Sequence, residues 1–307
     1  MRIRATVAAA TGALALSAFV VPAAHADAAA PSRAEVAKIF AAAHAASGKT
    51  GFRAPAPDDD GPYAMDVKFS NLKIVKSVKV GPTAHVATSV TYTMTHGTDV
   101  DITAYDFFTE PFLYRGSYTL PDNFLFGYDF ATCTVTSATT AACKGTIDIY
   151  PNEGDLLNPE AGTWHVGADA IAFNGQDPTS TDFDFTKVGF ADNGTLGTTL
   201  VQRGTGLSVN AAPEPVKKGK TLTVTGRLTR ADWETNTYRG FTNQPVKLQF
   251  RKKGSTVYTT LKTIKSDSAG NLKTTVKATV DGDFRYLYEG VTVATPAAPA
   301  GDFVDVR

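Results

Sequence analysis

Apolar and polar residues alternate with a period of two over much of this chain. The clearest run is Gln244–Lys253. There Val246, Leu248 and Phe250 point one way, and Lys247, Gln249 and Arg251 the other. That period marks a strand with one buried and one wet face. The same grammar surrounds it. Leu222, Val224 and Leu228 face inward, with Gly226 among them; Lys253-Gly254 makes a turn; and Tyr258, Leu261 and Ile264 form a less regular strand. Asp267–Asn271 reads as a hairpin turn before Leu272, Thr274, Val276 and Ala278. Asp281-Gly282 then turns into Phe284, Tyr286 and Tyr288, and Phe303, Val304 and Val306 close the series.

An earlier stretch follows the same rule. Val67–Phe69 and Leu72–Ile74 are short alternations, and Val86, Thr88, Val90, Tyr92 and Met94 share one face of a longer strand that ends at His96-Gly97. Asp99–Phe108 is expected to continue as its partner. Phe124, Phe126, Tyr128 and Phe130 form an aromatic face running towards Cys133, and Lys144–Tyr150 is the return strand. Gly162–Phe173 is a strand with Trp164 and Val166 inward; Phe183 and Phe185 belong to the next; Asn193-Gly194 signals a hairpin turn. Strands at this spacing predict a sandwich. Only residues 27–62 depart from the pattern. Ser32 and Glu35 have capping-box spacing ahead of an Ala-rich helix with a stripe of Val36, Ile39, Phe40 and Ala43, ending at Ser47-Gly48. The Pro- and Asp-rich segment 54–62 then reads as an exposed linker.

Composition adds an address. Arg2 and Arg4 precede an apolar run, Ala5–Val21, and Pro22–Ala26 offers a small–x–small cleavage site before Asp27. No cysteine stands there to carry a lipid, and no later segment has the roughly 18 apolar residues of a membrane helix. The chain is therefore read as a secreted, extracellular protein, with cell-wall association open. It divides into a signal peptide (1–26), a helix and linker (27–62), an acidic sandwich (63–204) and a basic sandwich (205–307). The two cysteines, Cys133 and Cys143, are expected to form a disulfide across a hairpin, with Cys133 and Val135 opposite Cys143 and Ala141.

The net charge of zero conceals a division. Residues 63–204 hold 16 acidic and 8 basic side chains, and residues 205–307 hold 9 acidic and 16 basic. Such asymmetry concerns partners or packing rather than fold.

The order K-G-K-x-L-T-V-T-G-x-L, Q-P-V-K-L-Q-F-R-K-K-G, D-S-A-G-N-L and D-F-R-Y-L-Y-E-G, across residues 205–307, resembles the immunoglobulin-like β-sandwich modules of secreted actinobacterial proteins. The Gly162–Val166 segment and the cysteine hairpin resemble another such sandwich more weakly. The resemblance implies an all-β fold of two consecutive immunoglobulin-like sandwiches and an extracellular location. It carries no catalytic residues.

Chemistry is sparse. His44, His85, His96 and His165 form no H-E-x-x-H motif and no i, i+4 pair. There is no G-x-S-x-G elbow and no phosphate-binding glycine loop. Glu110, Glu153, Glu160 and Asp169 could supply a glycosidase pair, but they are read as part of a solvated acidic face. Asp58–Asp60, Asp99/Asp101, Asp182/Asp184 and Asp281/Asp283 are possible calcium donors, with Asp182 and Asp184 sharing a strand face. No cofactor is expected beyond such structural calcium. Lys217, Lys218, Lys220, Arg251, Lys252 and Lys253, with Arg227 and Arg230, are candidate contacts for an anionic surface polymer. The expectation is therefore a non-catalytic extracellular binding protein, with an anionic cell-wall polymer or another extracellular protein as partner and nucleic acid disfavoured. The alternatives are a secreted hydrolase with its site in residues 63–204, and a calcium-stabilised adhesin-like protein.

Overall fold

The alternating runs become nineteen strands and one α-helix among the residues that the computed structural model describes, 31–47 and 61–307. The fold is all-β. The expected signal peptide (1–26) and the candidate calcium donors Asp58–Asp60 lie outside the described residues. No helix among the described residues is long and apolar enough to cross a membrane.

Two sheets make the first sandwich. One contains β1 (Tyr63–Ala64), β3 (Ser77–Val80), β5 (Phe107–Ser117), β6 (Leu120–Phe126), β9 (Gly162–Ala172) and β10 (Gly189–Arg203). Its order is β1-β10-β9-β5-β6, and β3 runs parallel to the end of β10. The other, β2-β4-β8-β7, contains β2 (Val67–Lys73), β4 (Val86–His96), β7 (Thr132–Ser137) and β8 (Thr140–Ile149). Alternate residues meet between them: Val90, Tyr92 and Met94 from β4, Ile147 from β8, and Trp164, Val166, Ala168 and Ala170 from β9 are all buried in one core. Cys133 and Cys143 are bonded and face each other in register, with Val135 opposite Ala141.

The second sandwich opposes β11 (Thr205–Leu207), β12 (Asn210–Ala212), β13 (Thr221–Asp232), β14 (Thr237–Gly240) and β17 (Asn271–Lys277) to β16 (Thr259–Lys265), β15 (Pro245–Lys252), β18 (Gly282–Leu287) and β19 (Asp302–Val304). β11 pairs with β13 at Leu228–Arg230 and β12 pairs with it at Thr223–Thr225, and the second sheet runs β16-β15-β18-β19. This Greek-key division is that of an immunoglobulin-like sandwich. Leu222, Val224, Leu228, Val246, Leu248, Leu272, Phe284, Tyr286 and Tyr288 fill its core. The irregularity around Leu261 is a register shift in the β15–β16 pair between Leu248 and Gln249.

Four expected elements differ: the aromatic run Phe124–Phe130 leaves the sheet after Phe126, with Tyr128 73% exposed, and three others follow. Residues 97–106 are turns rather than a strand, and the chain then crosses to the other sheet as β5. Gly97 N–H bonds the Asp66 carbonyl and Asp101 caps Thr103, so local side-chain bonds take the backbone out of the ladder. Phe183 and Phe185 lie in turns and a 3₁₀ helix, capped by Asp184 through Thr186. Asn193-Gly194 is a bulge inside the continuous strand β10, with the Asn193 side chain bonding Thr195.

No slack tether joins the sandwiches. Arg203 and Gly204 bond Val293 and Val80 through their backbone N–H groups. Trp233, at the β13–β14 turn of the second sandwich, is 2% exposed in the core of the first, and its indole N–H donates to the Gly81 carbonyl at 3.1 Å. Arg203 donates to the Ala231 carbonyl, and Gln202 to the Val291 carbonyl. Among the described residues no ion pair crosses this junction. The acidic and basic halves therefore meet through apolar packing and hydrogen bonds.

Candidate functional site

The first unusual surface is a buried one. On β9 the burial pattern alternates at the start and becomes continuous from Val166 to Ala172, and β5 is buried without interruption from Thr109 to Tyr114. A one-sided strand cannot do this. The second cover is α1 (Arg33–Ser47), which lies on the outer face of this sheet. Its capping box forms as expected: the Glu35 carboxylate accepts the Ser32 N–H at 2.8 Å, and the Ser32 hydroxyl accepts the Glu35 N–H at 3.3 Å. Val36, Phe40 and Ala43 then pack against Ile171, Phe173, Val188 and Phe190, flanked by Phe108 and Phe130.

Under the helix runs a row of acids. Glu110 on β5 pairs in register with Asp169 on β9, which pairs with Asp192 on β10. Like charges directly opposite one another oppose strand pairing. The helix supplies the countercharges. Arg33 bonds both Glu110 oxygens, donates to the Gly127 and Tyr128 carbonyls, and lies over the Phe130 ring at 4.1 Å. His44 Nε2 meets Asp169 Oδ2 at 2.8 Å, and Nδ1 lies 3.4 Å from Asp192 Oδ2. The rings of Phe112, Phe124, Phe190 and Tyr118 surround the imidazole edge-on at 5.2–5.9 Å. Tyr118 reaches over from the β5–β6 turn to donate to Asp192. Gly167 makes room for this arrangement, since a Cβ there would stand 2.3 Å from the Phe112 ring.

Burial sets the proton affinities. It works against charge on His44, but the hydrogen bonds to Asp169 and Asp192 outweigh it and raise the imidazole to about 9. Burial and the Asp169 charge push Glu110 up to about 8 against the pull of Arg33. Asp169 is also raised, first by burial, although His44 opposes the rise. Asp169 Oδ1 has no hydrogen-bond partner among the described residues.

The expectation of a solvated acidic face is thus overturned for three of its four carboxylates. Glu110 is 3% exposed, Asp169 1% and Glu160 9%. Glu160 accepts the Leu157 N–H and the Asn123 amide at 3.1 Å, whereas Glu153 remains on the surface. The histidines do not converge. His85 pairs with Asp148 at 2.7 Å and stacks on Tyr150; His96 bonds the Gly97 carbonyl; His165 faces outward and stacks on Tyr114. Asp182 and Asp184 do not share a strand face: Asp184 is engaged by Thr186 and by Lys187 at 3.1 Å.

The second unusual surface is the end of the second sandwich remote from the Trp233 junction. The Lys217–Lys220 turn is tied to the last residues of the chain, with Lys218 N–H to the Arg307 carbonyl at 2.7 Å and Gly219 N–H to the Ala278 carbonyl at 2.7 Å. Asp281 accepts the Val306 N–H at 2.9 Å, and its carbonyl accepts the Lys253 N–H at 2.9 Å. Two separate basic runs, Lys217/Lys218/Lys220 and Arg251/Lys252/Lys253, are thereby brought to one tip. Part of that charge is neutralised locally: Arg251 pairs with Asp283 at 3.0 Å and Lys253 with Asp281 at 3.3 Å. Lys217, Lys218, Lys220 and Lys252 are exposed and have no ion-pair partner among the described residues. Arg227 and Arg230 are not at the tip. Arg227 lies further along β13, where it donates to the Ala269 carbonyl, and Arg230 covers the Phe241 ring at 4.1 Å in the half nearer the junction.

No family model and no curated protein matches this chain. Solved structures that align with it include the titin domains I67–I69, at 10% identity over 78% of this chain and 65% of that one, with a TM-score of 0.30. The D0-D1 domain of intimin aligns at 14% identity over 77% of this chain and 98% of that one, with a TM-score of 0.24. The Escherichia coli adhesin FdeC aligns at 15% identity over 76% of this chain and 63% of that one, with a TM-score of 0.28. At these scores the alignments identify neither a relative nor an activity.

Proposed function

We propose that this is a secreted, non-catalytic extracellular binding protein, which presents the basic tip of its second sandwich to an anionic polymer of the cell envelope. The observation that carries this reading is the convergence of Lys217, Lys218 and Lys220 with Lys252, which is remote from them in sequence; all four are exposed and without an ion-pair partner among the described residues. Three further features support it. The junction holds the tip at the far end of the molecule through buried Trp233. The disulfide suits an oxidising compartment. The buried acids of the first sandwich are occupied by the chain's own helix, which leaves them unsuited to open hydrolytic work. Flexible lysines on a turn suit a repetitive polyanion whose charges vary in spacing, since each ammonium acts as an adjustable point charge.

The test uses the whole chain, because a separated second sandwich would expose Trp233. Full-length protein is sedimented with purified, deproteinised cell wall at low and high salt. Retention at low salt that is lost at high salt is expected, and indifference to salt would rule out the anionic-polymer reading.

A further inference from the structure

The two sheets of the second sandwich part on one side, close to the basic tip. There β16 pairs only with β15 and β17 only with β13, so both are edge strands. A slot of about 310 Å³ opens between them, lined by Phe250, Leu261, Val276, Lys277, Thr279 and Phe284. Small-molecule sites begin at about that size. Local sequence shapes the lining. Phe250 and Phe284 stand opposite each other on β15 and β18, with ring centroids 4.8 Å apart. Gly282 leaves room for the Phe250 ring, because a Cβ there would stand 2.6 Å from it. Leu261 is the unpaired residue at the register shift, between Thr260, which pairs with Gln249, and Lys262, which pairs with Leu248. It lines the slot and is still 46% exposed. Phe250 and Val276 are likewise only half-buried. Apolar surface held open to water is unfavourable, and an alkyl chain lying against it removes that penalty.

The rim of the slot is cationic. Lys277 is the charged member of the lining, exposed and without an ion-pair partner among the described residues. It pairs in register with Thr221, and the Ala278 N–H donates to the Lys220 carbonyl, which sets the Lys217–Lys220 turn beside it. On the other sheet Lys252 pairs with Gly282. The acids of this region, Asp281 and Asp283, are taken by Lys253 and Arg251. An added β-strand suits the two edges poorly. Lys262 reaches across from β16 to donate to the Thr275 carbonyl of β17 at 2.8 Å, and Lys262, Lys265, Lys273 and Lys277 stud both edges, as lysines do where edge pairing is blunted.

We infer that this slot binds an anionic amphiphile. A single unbranched alkyl chain enters between β16 and β17, against Phe250, Leu261, Val276 and Phe284, and its terminal carboxylate is held by Lys277 at the mouth. The site lies beside the polymer-binding tip but does not depend on that reading, since its specificity comes from the apolar slot.

Sodium dodecanoate, kept below micelle-forming concentrations, is titrated calorimetrically into the full-length chain. Saturable one-to-one binding is expected. Each buried methylene is worth about fourfold in affinity, so octanoate should bind at least about tenfold more weakly. Dodecyltrimethylammonium and dodecyl maltoside, with the same chain and a positive or neutral head, should also bind more weakly. Lys277→Gln should weaken dodecanoate about threefold, the value of one exposed ion pair, and leave the maltoside unchanged. Leu261→Asp places a carboxylate in the mouth at an exposed position and keeps every tip lysine. It should abolish dodecanoate binding while salt-sensitive retention on cell wall persists, so the two readings fail separately. In the unaltered chain the methyl resonances of Leu261 and Val276 should shift on binding. No binding of dodecanoate, or equal binding of the positive or neutral amphiphile, would overturn the inference. So would unchanged affinity in Leu261→Asp, or methyl shifts that spare Leu261 and Val276. Saturable binding of an extended peptide of alternating glutamate and valine, with none of dodecanoate, would assign the edges to an added strand and overturn it as well.

Discussion

Glu110 and Asp169 show how far a side chain's role depends on what covers it. Both stand at outward positions of their strands, where an acid normally faces water, and both are buried by a helix that brings its own cations. Leaving an uncompensated buried charge costs about 3–5 kcal/mol. Glu110 can instead take up a proton, so Arg33→Ala should cost less, about 1–3 kcal/mol, the range for a buried polar group left without its partner. Adding Glu110→Gln should recover part of that loss. Chemical denaturation of the two variants checks both statements.

The same residues fix a pH dependence and its sign. His44 and Glu110 both bind protons more tightly in the folded chain than in the unfolded one. The His44 contribution is therefore complete below its ordinary value of 6.5 and is lost as pH rises through about 9. Protonated Glu110 favours the fold below 4.5, and that contribution is lost as pH rises through about 8. Asp169, also raised, acts in the same direction. Helix docking should therefore weaken steadily from pH 5 to pH 9. Hydrogen exchange of the α1 amides across that range measures it, and His44→Ala should flatten the upper part.

Among elements, those with a single neighbour were legible in the sequence and those with two were not. In the strand Pro245–Lys252 the buried Val246 and Leu248 follow directly from the alternation, although Gln249, expected on the wet face, is buried beside Arg285 and Phe250 is only half-buried. The capping box and apolar stripe of α1 were equally readable, since both are local. The acid row was not. Glu110, Asp169 and Asp192 become neighbours only through the register of three strands separated by long stretches of chain, and an acid at an outward position carries no sign of a second cover. The convergence of the two basic runs is likewise a product of topology, through Asp281 and the last strand. Asn193-Gly194 misled because a turn dipeptide also suits a bulge. Two elements can be tested directly. Replacing Cys133 and Cys143 by serine should lower stability by about 2–3 kcal/mol, the chain-entropy value for so short a loop. Trp233→Ala should cost about 3–5 kcal/mol. Because Trp233 is buried in the first sandwich, the loss should appear as lowered protection of β3 and β10 as well as of the β13–β14 turn.

At the scale of the whole molecule, the division of charge sets a basic tip at one end. The first sandwich holds its excess acid partly beneath a helix, and the second carries free lysines to its far tip. The junction between them is apolar packing and hydrogen bonds with no ion pair among the described residues, so opposite charge is not used up in pairing the halves with each other. At physiological salt the screening length is about 8 Å. A tip charge therefore acts on a polymer only at contact, and the position of each lysine matters more than the net charge of the chain. The decisive measurement compares two fourfold variants of equal charge change on purified anionic cell-wall polymer across a salt series. One is Lys217→Gln/Lys218→Gln/Lys220→Gln/Lys252→Gln at the tip. The other is Lys68→Gln/Lys73→Gln/Lys76→Gln/Lys79→Gln on the first sandwich. Loss of low-salt retention in the tip variant alone is the predicted result; equal retention by both, or equal loss in both, would contradict it.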